Sequence, residues 1–224
     1  MQKKALLLVG SARRPRSTSE SLGSHVLERL KTQGFDTEVI LIHRAHRSEE
    51  QHAAMLDAAN HADVVVLAFP LYVDCLPALV TKTLEQLATS RRAGTPKAGQ
   101  RLLAIVNCGF PETSQNETAL AICHQFAREA RFEWAGGLAM GAGAAIDGLP
   151  LEERGGMVRH VIAALDAAAA ALAAGTPVPQ ETVALMGRPL MPSWTYSLFG
   201  GIGWRMQARR HGTQKRLYDR PFAE

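Results

Sequence analysis

Through residue 175 the chain alternates between two hydrophobic periods. Short, mainly apolar runs, Ala5–Val9, Thr37–Ile42, Asp63–Phe69, Arg101–Asn107 and Phe132–Met140, predict strands. Between them lie stretches in which apolar residues recur every three or four positions, and these predict helices over Ser17–Gln33, Glu49–His61, Pro77–Ser90, Asn116–Ala130 and Leu149–Ala174. Ser17–Gln33 places Leu22, Val26, Leu27 and Leu30 on one stripe and stops at Gly34. Pro77 suits a helix N-terminus, and Gly175 with Pro177 closes the last helix. The run Asp63–Phe69 is valine-rich and apolar from Val64 onward, as a strand covered on both faces requires.

Strands that alternate with helices imply an α/β fold with a doubly wound parallel sheet. Right-handed crossovers restrict the topology, and a five-stranded sheet of this size fits the order 2-1-3-4-5. That order opens a ligand crevice outside the carboxyl ends of strands 1 and 3. The loops Ser11–Ser17, Pro70–Leu76 and Cys108–Asn116 are therefore expected to converge. The reading divides the chain into a domain over 1–175 and a C-terminal extension over 176–224.

Composition is that of an ordinary globular protein, with 46% hydrophobic and 21% charged residues. The net charge of +4 is unevenly placed. Arg205, Arg209, Arg210, Lys215, Arg216 and Arg220 face only Asp219 and Glu224 in the last 31 residues, and the remainder is balanced. A nucleic-acid-binding face on the main body is thus not expected. Cys75, Cys108 and Cys123 show no CxxC spacing, which indicates neither a disulfide framework nor a metal site and leaves buried thiols as the expectation. The N-terminal run Ala5–Val9 is short and ends in Gly-Ser-Ala-Arg-Arg, so it reads as a buried first strand and the expected location is cytoplasmic. Val161–Ala174 is short for a membrane span and contains Asp166.

The first loop carries the most chemistry. It follows a strand and opens a helix, where free backbone amides and the helix dipole favour an anion. Ser11, Ser17, Thr18 and Ser19 add hydroxyls, and Arg13, Arg14 and Arg16 add positive charge. Ser17 or Thr18 capping a helix beside solvated arginines is the simpler alternative. The loop lacks GxxxxGK[ST] and GxGxxG, so a terminal phosphate fits better than a pyrophosphate or a magnesium-bound triphosphate. The second loop, Phe69-Pro70-Leu71-Tyr72-Val73-Asp74-Cys75-Leu76-Pro77, can lie against a flat ring or form a buried apolar turn. In the third, Gly109 permits close backbone approach to a ligand. Gly141-Ala142-Gly143 is a similar small-residue loop or a simple strand exit.

Gly10-Ser11-Ala12-Arg13 with Ser17-Thr18-Ser19, then Pro70-Leu71-Tyr72 with Pro77, then Asn107-Cys108-Gly109-Phe110, together resemble the flavodoxin-like NAD(P)H-dependent FMN reductase and quinone reductase superfamily over about residues 4–175. The resemblance implies a flavodoxin-like fold with bound FMN and NAD(P)H as co-substrate. Carried over by position, Ser11, Arg13, Ser17, Thr18 and Ser19 would hold the FMN phosphate. Pro70, Leu71, Tyr72 and Val73, with Asn107, Cys108, Gly109 and Phe110, would meet the ribityl chain and ring. The implied activity is electron transfer from NAD(P)H to a quinone, flavin, nitro or azo compound, with no catalytic acid or base assigned. A flavodoxin-type electron carrier and a flavin-free binding module are the alternatives. A homo-oligomer is expected. The chain carries Pro15 and Arg16 where many relatives have glycine. It has no cysteine in His43–His61, where some relatives bind an iron–sulfur cluster, and His43, His46, His52 and His61 there match no metal motif and read as surface residues.

The extension brings Trp194, Leu198, Ile202 and Met206 onto neighbouring helical turns, flanked by Tyr196, Phe199 and Trp204 and followed by basic residues. It reads as an apolar helix that packs on the body or a second subunit, or as a membrane-surface element with an aromatic face and a basic flank. Gly200, Gly201 and Gly203 weaken the helix.

Overall fold

The structure, a computed structural model, describes residues 2–13 and 16–220; the side chains of Ser193, Ser197 and Phe199 are outside that description, as are Arg14 and Pro15. Five parallel strands are bonded in the order β2-β1-β3-β4-β5. They are β1 (Lys4–Val9), β2 (Asp36–Leu41), β3 (Val64–Pro70), β4 (Arg101–Asn107) and β5 (Glu133–Met140). The helices are α1 (Thr18–Thr32), α2 (Ile42–Ala45), α3 (Glu49–His61), α4 (Ala78–Ala93), α5 (Glu117–Glu129), α6 (Arg159–Ala174), α7 (Gln180–Met186) and α8 (Ser193–Arg210).

Strand side chains point alternately to two apolar layers. Leu7, Val9, Val66 and Ala68 pack with α1 and α6 through Leu22, Val26, Leu30, Ala164 and Leu165. Leu6, Leu8, Val65, Leu67 and Phe69 pack on the other face with Met55 of α3, Val80 and Leu87 of α4, and Cys123 and Phe126 of α5. The three central strands are therefore apolar and buried over Ala5–Val9, Val64–Phe69 and Leu102–Val106, whereas β2 at the edge is half exposed.

The helix expected over Leu149–Ala174 is two elements, because Gly155 at φ 61 interrupts a 3-10 stretch from Leu151 to Val158 before α6 begins. By length and composition the longer stretch Leu151–Ala174 is long and apolar enough to cross a membrane. In this fold, however, Val161, Ala164, Leu165, Ala168 and Leu172 are buried core residues. The first compact unit, Met1–Leu190, runs past Gly175, with Val178 and Met186 buried in the α1/α6 layer. Met191–Glu224 forms a second unit.

Three further expectations change. Cys75 is exposed, whereas Cys108 and Cys123 are buried. His46 and His52 are half-buried struts instead of surface residues, bonding Thr83 and Gln86 of α4 at 2.9 and 2.8 Å. His43 is likewise half-buried, and His61 is exposed.

Candidate functional site

Past the carboxyl ends of β1, β3 and β4 the ladder continues by one residue. Gly10 N–H donates to Ala68 O at 2.8 Å, Leu71 N–H to Asn107 O at 2.8 Å, and Cys108 N–H to Met140 O at 3.1 Å. The three loops therefore leave the sheet side by side. With the loop after β5 they enclose a cavity of about 190 Å³ lined by Ser11, Arg13, Ser17, Thr18, Ser19, Pro70, Leu71, Tyr72, Asn107, Cys108, Gly109, Gly143 and Ala144. Two expected residues do not line it. Val73 stands at a loop tip, 97% exposed, and Phe110 lies beyond Gly109, 53% exposed. A larger groove of about 610 Å³ opens at the amino ends of the strands. Asp63 there is already paired with Lys97 at 2.7 Å and the Lys4 amide at 2.8 Å.

The inner end of the crevice is the N-terminus of α1. Ser17 is the N-cap: its backbone is extended, and its hydroxyl accepts from Glu20 N–H at 3.1 Å. Ser19 Oγ accepts from Asn107 Nδ2 at 2.8 Å, and Ser11 Oγ accepts from Arg13 N–H at 3.3 Å. In each of these bonds the serine is the acceptor, so its own proton is not spent there. Thr18 differs, because its hydroxyl donates to Gly143 O at 2.8 Å. The first-turn amides of Thr18 and Ser19 have no intrahelical acceptor, by the geometry of any α-helix. Serine O–H groups and helix-end N–H groups thus share one small space, although Ser11, Ser17, Thr18 and Ser19 are each nearly buried.

The two described arginines of the loop each have a carboxylate partner. Arg13 forms an ion pair with Asp147 through a short contact, and both side chains are about half exposed. Arg16 lies 3.8 Å from Glu20. Arg14, also expected to lend charge, lies outside the described residues. What the described part of the loop offers a candidate anion is therefore its hydroxyls and the helix end.

The loop after β5 is more than a strand exit. Gly143 passes so close to Asn107 that a Cβ there would sit 2.7 Å from Asn107 Oδ1. Gly148 has φ +72, and its Cβ would sit 2.2 Å from Arg16 O. Arg154 Nε holds the loop by donating to Ile146 O at 2.9 Å. Together with the Thr18–Gly143 and Arg13–Asp147 contacts, these clamp the loop over the entrance to α1. The Asp147-Gly148 pair is a turn signal that the chain displays openly. Its role in walling the site was not legible without the fold.

The loop after β3 is a two-residue hairpin. Tyr72 and Cys75 exchange N–H···O bonds of 3.0 and 3.1 Å around Val73 at φ 49 and Asp74 at φ 57. Both central residues have the positive φ that a type I′ turn requires. For a β-branched valine this is a strained conformation, worth about 1–3 kcal/mol. Tyr72, 51% exposed, stands at the base of this hairpin on the cavity wall.

Behind the cavity-lining Cys108, Asn116, fully buried, donates from Nδ2 to Cys108 Sγ at 3.3 Å, Thr113 O at 3.0 Å and Met140 O at 3.4 Å. It thereby ties the loop after β4 to the ends of β4 and β5. Burial pushes the Cys108 thiol above its ordinary pKa, so it is neutral at pH 7.

Comparison with known proteins agrees with this architecture. No curated protein matches the sequence. Among solved structures, RosB with bound 8-demethyl-8-formylriboflavin-5′-phosphate aligns with a TM-score of 0.61 at 14% identity, covering 99% of this chain and 94% of its own. The apo form of an NADH:FMN oxidoreductase (EMOB) aligns at 0.56 and 15% identity, covering 85% and 97%. A flavodoxin from Streptococcus pneumonia TIGR4 aligns at 0.52 and 18% identity, covering 76% and 97%. At these identities the likeness is one of fold. The model for the flavodoxin-like fold matches residues 3–134. With the strand order and the loop motifs in agreement, the chain belongs to the flavodoxin-like fold family.

Proposed function

We propose that this protein binds FMN and catalyses electron transfer from NAD(P)H to a small acceptor such as a quinone, a free flavin, or a nitro or azo compound. The observation that carries this reading is the convergence of three post-strand loops on one cavity whose inner end joins the α1 N-terminus to the hydroxyls of Ser11, Ser17 and Ser19. The residues fit the group. A phosphate monoester needs several donors and no fixed counter-ion, and serine protons with first-turn amides provide that. A flat conjugated ring needs an apolar wall and backbone groups along one edge, and Pro70, Leu71 and Tyr72 line the cavity together with Cys108 and Gly109.

FMN would supply the hydride and electron chemistry. The chain binds, orients and excludes water. Among the described residues that line the cavity, only Arg13, Tyr72 and Cys108 carry titratable side chains, and Cys108 is a neutral thiol. That set suits a site whose residues position a cofactor and leave proton transfer to the cofactor and solvent. RosB, similar in fold, holds a flavin 5′-phosphate derivative, and EMOB is an NADH:FMN oxidoreductase; both support the reading. A flavodoxin-type carrier is less well matched, because such carriers dock through acidic faces and this chain's only excess charge is basic.

Purification tests the reading. The expected result is a yellow protein, or a colourless one that turns yellow with added FMN, and that oxidises NADH or NADPH with a quinone and no partner protein. No uptake of FMN overturns it. FMN uptake without NAD(P)H oxidation makes the protein a carrier.

A further inference from the structure

The unit Met191–Glu224 carries a surface that the proposed redox site does not use. From Ser193 to Trp204 α8 has no charged residue, and from Arg205 onward the chain is strongly basic. Trp194, Leu198, Ile202 and Met206 recur every four residues along the helix, and all are exposed. Trp194 is 70% and Trp204 74% exposed, and Tyr218 follows at 87%. A continuous apolar ladder that its own unit leaves uncovered marks a surface with a partner. Gly200, Gly201 and Gly203 lower the helix's own stability, and a Cβ at any of them would meet open space, so they serve no close packing within this unit.

Charge narrows the choice of partner. Among the described residues the tail has one carboxylate, Asp219, and it is engaged by Arg216 at 2.7 Å. Arg205, Arg209, Arg210, Lys215 and Arg220 add to the positive field. A second copy of the chain offers a body with equal numbers of acidic and basic residues, and so no complementary field. A nucleic acid would meet the arginines and tryptophans but leave Leu198, Ile202 and Met206 in water. An anionic lipid surface satisfies both halves, with headgroups on the basic end, acyl chains around the aliphatic residues and indoles at the boundary. The uncharged part of α8 is about 18 Å long, short of the roughly 30 Å hydrocarbon core, so it enters one leaflet and cannot cross.

We propose that Met191–Glu224 is a reversible anchor that docks this protein on anionic lipid, with Trp194, Leu198 and Ile202 entering the leaflet and the residues from Arg205 on meeting the headgroups. The proposal does not depend on flavin binding.

The test uses the full chain and two vesicle preparations, phosphatidylcholine alone and phosphatidylcholine with phosphatidylglycerol at about 2:1. The expected result is co-sedimentation with the anionic vesicles only, a blue shift of tryptophan emission, and release as salt is raised from about 0.1 to 0.5 M. The double variant Trp194→Ser/Trp204→Ser should bind at least about tenfold more weakly, at an unchanged melting temperature. Arg205→Gln/Arg209→Gln/Arg210→Gln should abolish the preference for anionic vesicles. Absence of binding, or equal binding to both preparations, overturns the proposal. So does concentration-dependent dimerisation without vesicles that the tryptophan variant abolishes, since the surface then belongs to a second copy. Retention by single-stranded RNA in place of vesicles overturns it equally.

Discussion

Asn107 Nδ2 donates to Ser19 Oγ at 2.8 Å, joining the end of β4 to the first turn of α1 across 88 positions of sequence. The same amide nitrogen lies 3.3 Å from Phe69 O at the end of β3. Asn107 therefore orients a candidate phosphate donor and closes the gap between two strand ends. Asn107→Ala should leave Ser19 without its donor, weaken FMN binding by about tenfold and destabilise the fold by about 1–3 kcal/mol. Fluorescence titration of FMN and chemical denaturation read the two effects. An unchanged affinity would remove Asn107 from the site.

Ser17 separates capping from ligand binding. Aspartate caps a helix as well as serine does and suits the positive end of the dipole. Ser17→Asp should therefore keep the melting temperature within a few degrees while placing a negative charge beside the phosphate. FMN affinity should fall by more than about tenfold, and the affinity for riboflavin, which lacks the phosphate, should stay close to its parent value. Equal loss for both flavins would show that Ser17 does not face the phosphate.

Arg13 is held by Asp147, and a half-exposed pair of this kind is worth about 0–1 kcal/mol. Asp147→Asn leaves stability nearly unchanged and frees the guanidinium. FMN should then bind a few-fold more tightly at low salt, with the gain lost near physiological ionic strength. Kd measured against salt concentration checks this, and weaker binding at low salt would contradict it.

Gly148 combines positive φ with backbone contact to Arg16. Gly148→Ala should displace the loop after β5 and cost about 1–3 kcal/mol together with FMN affinity. Gly34→Ala, also at positive φ but with open space around its Cβ, should cost stability alone. Comparing denaturation with FMN titration distinguishes them.

The three thiols should differ in reactivity. Cys75 is exposed, burial raises the Cys108 pKa, and burial pushes Cys123 up to about 12. Only the thiolate reacts, so a neutral-pH alkylating agent should modify Cys75 first, Cys108 slowly and Cys123 only on unfolding. As pH rises toward 10 the Cys108 rate should climb, and bound FMN should suppress it. Mass spectrometry of the labelled peptides reads the order.

The elements and the crevice were legible in the chain because each depends on local pattern. Val64–Phe69 is apolar at every position, and only a central strand buries both faces. Leu22, Val26 and Leu30 recur at helical spacing. From such elements and right-handed crossovers the strand order follows, and with it the meeting of the loops after Val9, Pro70 and Asn107. The placement of Val73 was not legible, because its membership of the wall depends on the turn. With Val73 and Asp74 both at positive φ, the tip points away from the cavity that Tyr72 lines.

The sequence by itself determined the kind and order of the secondary elements, the parallel sheet, and which loops would share the crevice, because hydrophobic period and strand count encode these locally. Tertiary structure alone decided which polar groups are spent and which are kept. Arg13 pairs with Asp147 across 134 positions, Thr18 gives its proton to Gly143 across 125, and Ser19 receives one from Asn107. No local pattern encodes those partners, since a side chain's hydrogen bond is set by what the crossovers bring within about 3 Å of it.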